Sequence, residues 1–419
     1  MSVREVHSGR RYRLTNGYFT DQVLNLSTSD HRSIIRHGFH GGDNQKWEFL
    51  ETNDGWYIKN VSTGLYVAVE GPRNSDAEYA NWTKVVGSQE PFKWHLHLEV
   101  GPGAALAPVF RVQVPRSDKR LEFGLNGATL DGIVCLYCSP GVHQRWSLVE
   151  FRRVMVIAGV DNDRGAGAAV AHRFAGEGYA IALVDTPNNS LDRLQRELSS
   201  ISGVEAATFL LQSYSAQAIV EVWESIKKRF NGSSYEIRVG IWNSPRPERK
   251  RFLDITPDEI EQSTQANIIA AVSFARQAIL AFRENTSLES GSRKYGTLIF
   301  TGGTESLQIN AFAGTSSLFQ CALRFLSQTL NKEFGPDNIH VAHVILGDFS
   351  SFGPRSEREG SEDLKQTAES IAKSYLHLVG QDRSAWTWEL DLRPAQSPYS
   401  RTLGAEIISL LARVDGPPV

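Results

Sequence analysis

The chain has 419 residues, of which 41% are hydrophobic and 22% charged, and its formal net charge at pH 7 is −3. This length predicts about two domains, at roughly 100–200 residues per domain, and the composition is that of a folded globular protein. Because the chain is nearly neutral, it lacks the basic field that attracts nucleic acid or an anionic membrane surface, and we expect neither as a partner.

The first residues contain no apolar segment of the kind found in secretory signals and lead directly into strand-like sequence. No uninterrupted apolar run approaches the roughly 18 residues of a membrane-spanning helix, so we expect no membrane span. Three cysteines are too few for a disulfide framework and favour a reducing compartment, which predicts a cytoplasmic protein. Cys135 and Cys138 lie three residues apart, so on a strand they face opposite sides, and we predict no metal site.

Residues 1–150 form short alternating runs separated by Gly, Asn, Asp and Ser, a pattern that predicts an all-β domain. A motif of the form Gln-x-Trp recurs within them at intervals of about 50 residues. Its three copies are Gln45 with Trp47, Phe92 with Trp94, and Gln144 with Trp146. We therefore predict three units that form one threefold barrel, with the tryptophans sharing its core.

These three motifs resemble those of the ricin-B-type lectins, which are β-trefoil carbohydrate-binding modules, over roughly residues 8–150. In that family each sugar pocket combines an acidic residue early in the repeat, an aromatic platform and a polar group just before Gln-x-Trp. The early acid is not evident here, because Asn25 follows Leu24 in the first unit and Asn126 follows Leu125 in the third.

The resemblance implies sugar-binding candidates in two of the units: Asp43 and Asn44 in the first, Tyr137 and His143 in the third. We therefore expect a glycan or another small molecule as the ligand. The alternative is a trefoil that binds a protein partner, since the fold alone does not fix the function.

From residue 151 to residue 395, apolar strands alternate with helical segments, beginning with a strand at 154–158. Fully apolar strands that alternate with helices predict a parallel sheet covered on both faces, which is a doubly wound, Rossmann-type α/β domain. Residues 396–419 are predicted to form a C-terminal helix and tail. The expected fold class is therefore multidomain, with an all-β trefoil at 1–150 and the α/β domain after it.

A glycine-rich turn follows the first of these strands, with Gly159, Arg164, Gly165 and Gly167 as its candidate cofactor-binding residues. Glycines there allow the backbone to approach a pyrophosphate, and the next helix offers its free N–H groups. Asp185 ends the second strand, where a carboxylate binds ribose hydroxyls and repels a 2′-phosphate. NAD or NADP is thus the expected cofactor, with NAD favoured; the alternative for Asp185 is a role in capping the turn.

The order and spacing of these segments resemble the short-chain dehydrogenase/reductase family over roughly residues 152–395. Asn243 matches the last Asn of the family's strand-four motif, and Asn267 matches its active-site Asn. The glycine-rich turn departs from the family pattern, because it has five rather than three residues between its first two glycines. The resemblance also implies pairing of two chains through the helices at 258–283 and 312–334, and a substrate lid at the charged stretch 353–363.

The family's proton-transfer residues are a Ser after the fifth strand, a Tyr, and a Lys four residues beyond it. In this chain Gly303 lies in the Ser region, Ser316 takes the position of the Tyr, and Gln320 takes that of the Lys. A serine hydroxyl is a far weaker acid than a phenol, and a neutral amide supplies no positive field. The sequence therefore predicts a nucleotide-binding domain with impaired catalysis, acting as a sensor or scaffold.

Two other interpretations stay open. In the first, the chain is an active oxidoreductase with a nonstandard proton donor that acts on a carbonyl, an alcohol or a glycoside. In the second, the trefoil is a working lectin and the α/β domain only supports it.

Overall fold

A computed structural model describes residues 5–71, 78–99, 108–124, 132–138, 141–160, 165–232, 234–243, 250–285, 294–308, 315–347 and 367–394. The chain divides into two compact units. The first comprises Met1–Arg152 together with Asn231–Glu236, and the second comprises Arg153–Phe230 with Ile237–Val419. Arg164, the charged stretch 353–363 and the predicted tail 396–419 lie outside the described residues.

The described part of the first unit contains twelve β-strands and two short 3-10 turns. The strands are β1 (Arg10–Asn16), β2 (Gln22–Leu26), β3 (Ile34–Gly38), β4 (Trp47–Thr52), β5 (Gly55–Asn60), β6 (Tyr66–Val69), β7 (Val85–Ser88), β8 (Lys93–Glu99), β9 (Val109–Gln113), β10 (Arg120–Phe123), β11 (Val134–Tyr137) and β12 (Trp146–Glu150). Strands β1, β4, β5, β8, β9 and β12 pair in a closed antiparallel ring. The hairpins β2–β3, β6–β7 and β10–β11 are joined by isolated bridges. This arrangement confirms the predicted all-β trefoil.

The three repeat tryptophans are fully buried in one hydrophobic cluster, as the threefold repeat predicts. Each indole N–H donates to a carbonyl at the same place in its own unit. Trp47 donates to Leu24 (3.0 Å), Trp94 to Val67 (2.8 Å) and Trp146 to Leu121 (3.1 Å). A buried indole N–H needs such a partner, and these three bonds define which residues of the units are equivalent.

The second unit contains a seven-stranded sheet in the order β15-β14-β13-β16-β17-β18-β19. Its strands are β13 (Arg152–Ala158), β14 (Ala180–Asp185), β15 (Ala206–Leu210), β16 (Tyr235–Asn243), β17 (Gly296–Gly303), β18 (Ile339–Leu346) and β19 (Glu389–Leu392). The registered pairs are parallel. The chain order reverses between β13 and β16, and in open α/β sheets ligands bind at the strands' carboxyl ends beside such a switch point. The predicted doubly wound fold is confirmed.

Helices connect these strands. They are α1 (Ala166–Gly176), α2 (Asn189–Ser200), α3 (Ala216–Arg229), α4 (Pro257–Thr264), α5 (Ala270–Arg283), α6 (Ser316–Phe334) and α7 (Ala368–Gly380). Helix α4 begins with a capping box between Thr256 and Glu259 and has a proline in its first turn. A π-helical segment, Gln265–Ile269, links α4 to α5.

Helix α4, the π-helical segment and helix α5 form one continuous helical run, Pro257–Arg283. It is long and apolar enough to cross a membrane by length and composition, and 56% of its apolar stretch is buried inside the protein. A buried core helix meets the same criteria, so this run is only a weak indication of a membrane span.

Candidate functional sites

In the first trefoil unit, the sugar-binding candidates are engaged in bonds within the protein. Asp43 forms an ion pair with Lys46 at 3.3 Å. The Asn44 side chain is buried, and its amide donates to Asn25 Oδ1 and to the Leu26 carbonyl, both at 2.9 Å. Asn25 and Asn44 therefore lie together, as the early and late polar positions of one repeat should, but neither supplies a carboxylate.

The third unit contains an acidic residue at the equivalent of Asn25, and sequence analysis missed it. Because the Trp146 indole bonds to Leu121 as Trp47 bonds to Leu24, the residue that corresponds to Asn25 is Glu122. The sequence-based alignment instead used Asn126, which lies outside the described residues. The shared run of an apolar, a polar and an apolar residue in β2 and β10 is the signal that would have identified Glu122.

The Glu122 carboxylate is buried and accepts a hydrogen bond from Gln144 Nε2 at 2.8 Å. Burial raises the pKa of this carboxyl group, an effect that its bond to Gln144 partly opposes. The same Gln144 amide also donates to the Tyr137 carbonyl at 3.1 Å, so the backbone of Tyr137 lies beside the Glu122 carboxylate.

Tyr137 occupies the position that Gly38 has in the first unit, because the Gly38 carbonyl accepts from Gln45 Nε2 at 2.8 Å in the same way. His143 directly precedes Gln144, and its ring lies edge-to-face against Tyr18, with ring centroids 4.6 Å apart. Partial burial lowers the pKa of His143. Among the described residues of the three units, the third thus combines an acid, an aromatic ring and a polar residue before Gln-x-Trp.

In the α/β part of the chain, the glycine-rich turn is packed tightly against the end of β16. Gly159 has φ +77°, and a Cβ on it would lie 2.4 Å from the Asn243 carbonyl oxygen. A Cβ on Gly167 would lie 3.1 Å from Asn243 Nδ2. Gly165 caps α1 without a side chain, and the first turn of α1 contains no acidic residue. The N-terminus of α1 therefore suits an anion such as a pyrophosphate.

A chain of hydrogen bonds connects this turn to the side chains of Asn243, Thr301 and Tyr375. Asn243 Nδ2 donates to the Gly159 carbonyl at 2.8 Å, and Asn243 Oδ1 accepts from Thr301 Oγ1 at 2.5 Å. Thr301 Oγ1 lies 2.7 Å from the Tyr375 hydroxyl. Because the Thr301 proton is committed to Asn243, Tyr375 is the donor in that last bond. Burial raises the pKa of Tyr375, which keeps the phenol protonated. Thr301 and Tyr375 were not predicted from the sequence.

Asp185 is buried at the end of β14, and its carboxylate also holds the glycine-rich turn. Oδ2 accepts from the Val160 N–H at 2.9 Å, and Oδ1 accepts from the Thr186 N–H at 2.7 Å. The capping role considered for this residue is therefore present. Its position at the carboxyl end of the second strand is also the position from which an acid contacts a ribose.

The residues predicted to correspond to the family's active-site positions lie on α6 and on the π-helical segment, which pack against each other. Asn267 is buried in that segment, and its amide donates to the Ser263 carbonyl at 3.0 Å. Gln320 Oε1 accepts from the Gly303 N–H at 2.9 Å. Ser316 is buried one helical turn before Gln320. The side chains of Gln320 and Ser316 at this place are an amide and a hydroxyl, both uncharged.

His343 on β18 lies beside this site and was not predicted as part of it. It is fully buried, and a Cβ on Gly302 would lie 2.4 Å from its Nε2 and 3.1 Å from Gln320 Oε1. Its Nδ1 lies 3.8 Å from Glu389, which Arg324 binds through two hydrogen bonds of 2.6 and 2.8 Å. Burial lowers the pKa of His343 to about 4, so the imidazole is neutral at pH 7.

Comparison with family models places these features in a known group. The model for short chain dehydrogenases matches residues 153–362, half of the chain. The chain belongs to the short-chain dehydrogenase family. A second model, for the ricin-type beta-trefoil lectin domain-like group, matches residues 43–137, so this short-chain dehydrogenase also contains a lectin-like domain.

Two curated relatives of this short-chain dehydrogenase come from Arabidopsis thaliana. The 3-dehydrosphinganine reductase TSC10A is 22% identical over 200 residues, which cover 48% of this chain and 57% of that protein. The 3-dehydrosphinganine reductase TSC10B is 25% identical over 216 residues, which cover 52% of this chain and 60% of that protein. The match therefore spans well under two thirds of either relative's own length.

Solved structures resemble each half. An alcohol dehydrogenase from the archaeon Thermococcus sibiricus, complexed with 5-hydroxy-NADP, is 21% identical, with a TM-score of 0.50 over 59% of this chain and 99% of that chain. This likeness shows a shared fold. A ricin B-like lectin from Macrolepiota procera, in complex with lactose, is 33% identical, with a TM-score of 0.29 over 34% of this chain and 97% of that chain.

The cysteines do not form a metal centre in the described part of this short-chain dehydrogenase, where no group of three metal-ligating side chains lies together. Cys135, Cys138 and Cys321 are free thiols. Burial raises the pKa of Cys135 to about 12, which disfavours the thiolate that a metal would bind.

Proposed function

We propose that the α/β domain binds NAD without ordinary carbonyl reduction and acts as a nucleotide sensor or scaffold, while the trefoil binds a glycan. The observation that carries the first half is the contact between Gln320 and the Gly303 N–H, because it fills the cation's position with a neutral amide. A phenol has a pKa of about 10 and a serine hydroxyl does not ionise in the working range, so Ser316 is a poor general acid. Loss of acid/base assistance costs about 10²–10⁴ in rate.

The cofactor half rests on the turn around Gly159, Gly165 and Gly167 and on the α1 N-terminus, which together suit a pyrophosphate. Asp185 favours NAD over NADP, because a buried carboxylate at this strand end repels a 2′-phosphate. When bound, NAD supplies or accepts a hydride. The chain's own groups bind and orient the nucleotide, whereas proton transfer lacks an efficient donor.

Calorimetric titration of the full chain with NAD, NADH, NADP and NADPH tests this proposal. We expect binding of NAD or NADH, weaker binding of the 2′-phosphorylated forms, and no NADH oxidation with a panel of ketones and aldehydes. The double variant Ser316→Tyr, Gln320→Lys should acquire carbonyl-dependent oxidation of NADH, because it supplies a phenol and a neighbouring cation. Absence of heat with all four nucleotides would remove the cofactor half.

The second candidate function is an active reductase. It is favoured by the matched 3-dehydrosphinganine reductases and by the buried Ser317 hydroxyl beside Ser316, which has no hydrogen-bond partner in the part of the chain that the structure describes. This function predicts NADH- or NADPH-dependent reduction of a ketone by the wild-type chain. Ser316→Ala and Ser317→Ala, tested separately, identify the donor; turnover that is indifferent to both changes would exclude either serine from that role.

For the trefoil, we propose a sugar site in the third unit, formed by Glu122, Tyr137 and His143. The supporting observation is that Glu122 and the Tyr137 carbonyl meet at the Gln144 amide. Glycan-array binding by the full chain should fall sharply in Tyr137→Ala and persist in Tyr137→Phe, which keeps the ring. Equal binding by Tyr137→Ala would point to the first unit or to a protein ligand.

We further propose that the chain pairs through α5 and α6 and works in the cytoplasm. Exposed apolar residues on α6 support the first proposal. The three free thiols support the second, because a reducing compartment keeps cysteines in that form.

A further inference from the structure

Trp82 lies in the second repeat of the trefoil, is not part of the hydrophobic core cluster, and has an unusual backbone conformation. Its side chain keeps 39% of its surface exposed, and its φ is +70°. The left-handed region is unfavourable for a bulky side chain. More than a third of the residue nevertheless stays exposed, so part of the ring is accessible to a ligand.

The segment around Trp82 is fixed on β11 of the third unit. The Trp82 N–H donates to the Leu136 carbonyl at 2.8 Å, and the Leu136 N–H donates to the Thr83 carbonyl at 2.9 Å. Asn81 Oδ1 accepts from the Cys138 N–H at 3.2 Å. These bonds lie on either side of Tyr137. They hold Trp82 of the second trefoil repeat against Tyr137 of the third repeat.

The two rings form one aromatic surface. The ring centroids of Trp82 and Tyr137 are 4.7 Å apart, with an interplanar angle of 43°. Tyr137 is half-buried, while Trp82 is the more exposed of the two. Trp82 therefore extends the aromatic platform of the third-unit site beyond the area that one sugar ring covers.

We propose that Trp82 forms a second saccharide subsite beside the one built on Glu122, Tyr137 and His143. The trefoil then binds an oligosaccharide of at least two sugar units across the boundary between its second and third units. This inference rests on the proposed sugar site. Sugars present apolar C–H faces and polar edges, and a rigid indole offers a large contact area at a low cost in conformational entropy.

The test compares saccharides of different length with the full chain in calorimetric titrations. The probes are galactose, N-acetylglucosamine and glucose, each with its β-linked di- and trisaccharide. We expect the preferred disaccharide to bind about tenfold more tightly than its monosaccharide, a gain that matches one aromatic contact. Trp82→Gly should remove that gain and leave monosaccharide binding unchanged.

Glycine is the informative substitution, because it accepts φ +70° without strain and removes only the ring. A cooperative unfolding transition of Trp82→Gly, even at a lower temperature than that of the wild type, separates a binding loss from misfolding. Trp388→Ala is the matched control, since Trp388 is another exposed tryptophan, in the α/β unit. It should leave all saccharide affinities unchanged.

The outcomes separate the two proposals. If Tyr137→Ala abolishes binding while Trp82→Gly leaves disaccharide affinity intact, the sugar site stands and the second subsite is wrong. If Trp82→Gly weakens monosaccharide and disaccharide binding equally, Trp82 belongs to the first subsite and the inference is again wrong. If the wild-type chain binds none of the nine saccharides, the sugar site and the second subsite both fail.

Discussion

At the scale of single residues, the two units differ in how their polar side chains are used. The amide of Gln144 brings Glu122 and the Tyr137 carbonyl together, and His143 directly precedes this glutamine. In the α/β unit, by contrast, the side-chain amide of Gln320 accepts a hydrogen bond from the Gly303 N–H. A buried amide in such a role stabilises the fold but adds no charge to the site.

Gly159 provides the first residue-scale prediction. Gly159→Ala would place a methyl group 2.4 Å from the Asn243 carbonyl and in a left-handed backbone conformation, so we expect the turn to shift and NAD affinity to fall at least about tenfold. Gly176→Ala is the control, because a Cβ at that helical position meets nothing within 4 Å. Calorimetric titration with NAD compares the two variants; equal affinities would contradict the role given to Gly159.

The hydrogen-bond chain from Gly159 to Tyr375 provides the second residue-scale prediction. Thr301→Val keeps the shape of the side chain but leaves Asn243 Oδ1 and the Tyr375 hydroxyl without their partner. The expected loss in the free energy of unfolding is about 1–3 kcal/mol. Tyr375→Phe should cost less, and the double variant should lose less than the sum, because the two side chains share one bond. Urea denaturation of the four proteins measures this; strict additivity would show that the bonds are independent.

At the scale of elements, the sequence predicted the fold better than it predicted the site. The regular return of Trp47, Trp94 and Trp146 was sufficient to predict the trefoil, because each indole occupies an equivalent place in the core. Glu122 was missed because the sequence-based alignment followed Leu125 rather than Leu121. The indole hydrogen bonds fix the register at Leu121. The contact between Trp82 and Tyr137 was also beyond prediction, since it depends on pairing between two units.

Strand β18 carries a prediction about pH. Burial lowers the pKa of His340 and of His343 from 6.5 to about 4. In the unfolded chain both take up protons below pH 6.5, whereas the folded chain does so only near pH 4. Between these values the unfolded state binds more protons, so stability falls as the pH is lowered, by on the order of 1–3 kcal/mol for each histidine.

Denaturant unfolding at pH 7.0 and at pH 5.0 measures this dependence. The groups that face these rings are Glu389 and Arg324 for His343, and Lys294 for His340. The variant His340→Asn, His343→Asn should show a flatter dependence on pH, whatever its absolute stability. A slope equal to that of the wild type would mean that other groups cause the loss.

At the scale of the whole molecule, an apolar face on α6 supports pairing of two chains. Leu318 and Phe325 are 64% and 63% exposed and lie seven residues apart, on the same side of the helix. Phe325→Glu should convert an oligomer to a monomer, because it places a charge in the apolar contact. Light scattering after size-exclusion chromatography measures the mass. Phe252→Glu, which changes a residue 75% exposed outside these helices, should remain oligomeric; a monomeric wild type would refute the pairing.

The first unit is discontinuous in the chain, because residues 231–236 belong to it. Within it Lys46 pairs with Glu236 at 2.7 Å, and both side chains are buried. A fragment that ends near residue 150 would leave the Lys46 ammonium without this carboxylate. During synthesis, all six strands of the ring have therefore left the ribosome well before the carboxylate of Glu236, and Lys46 stays without this partner until residue 236 follows.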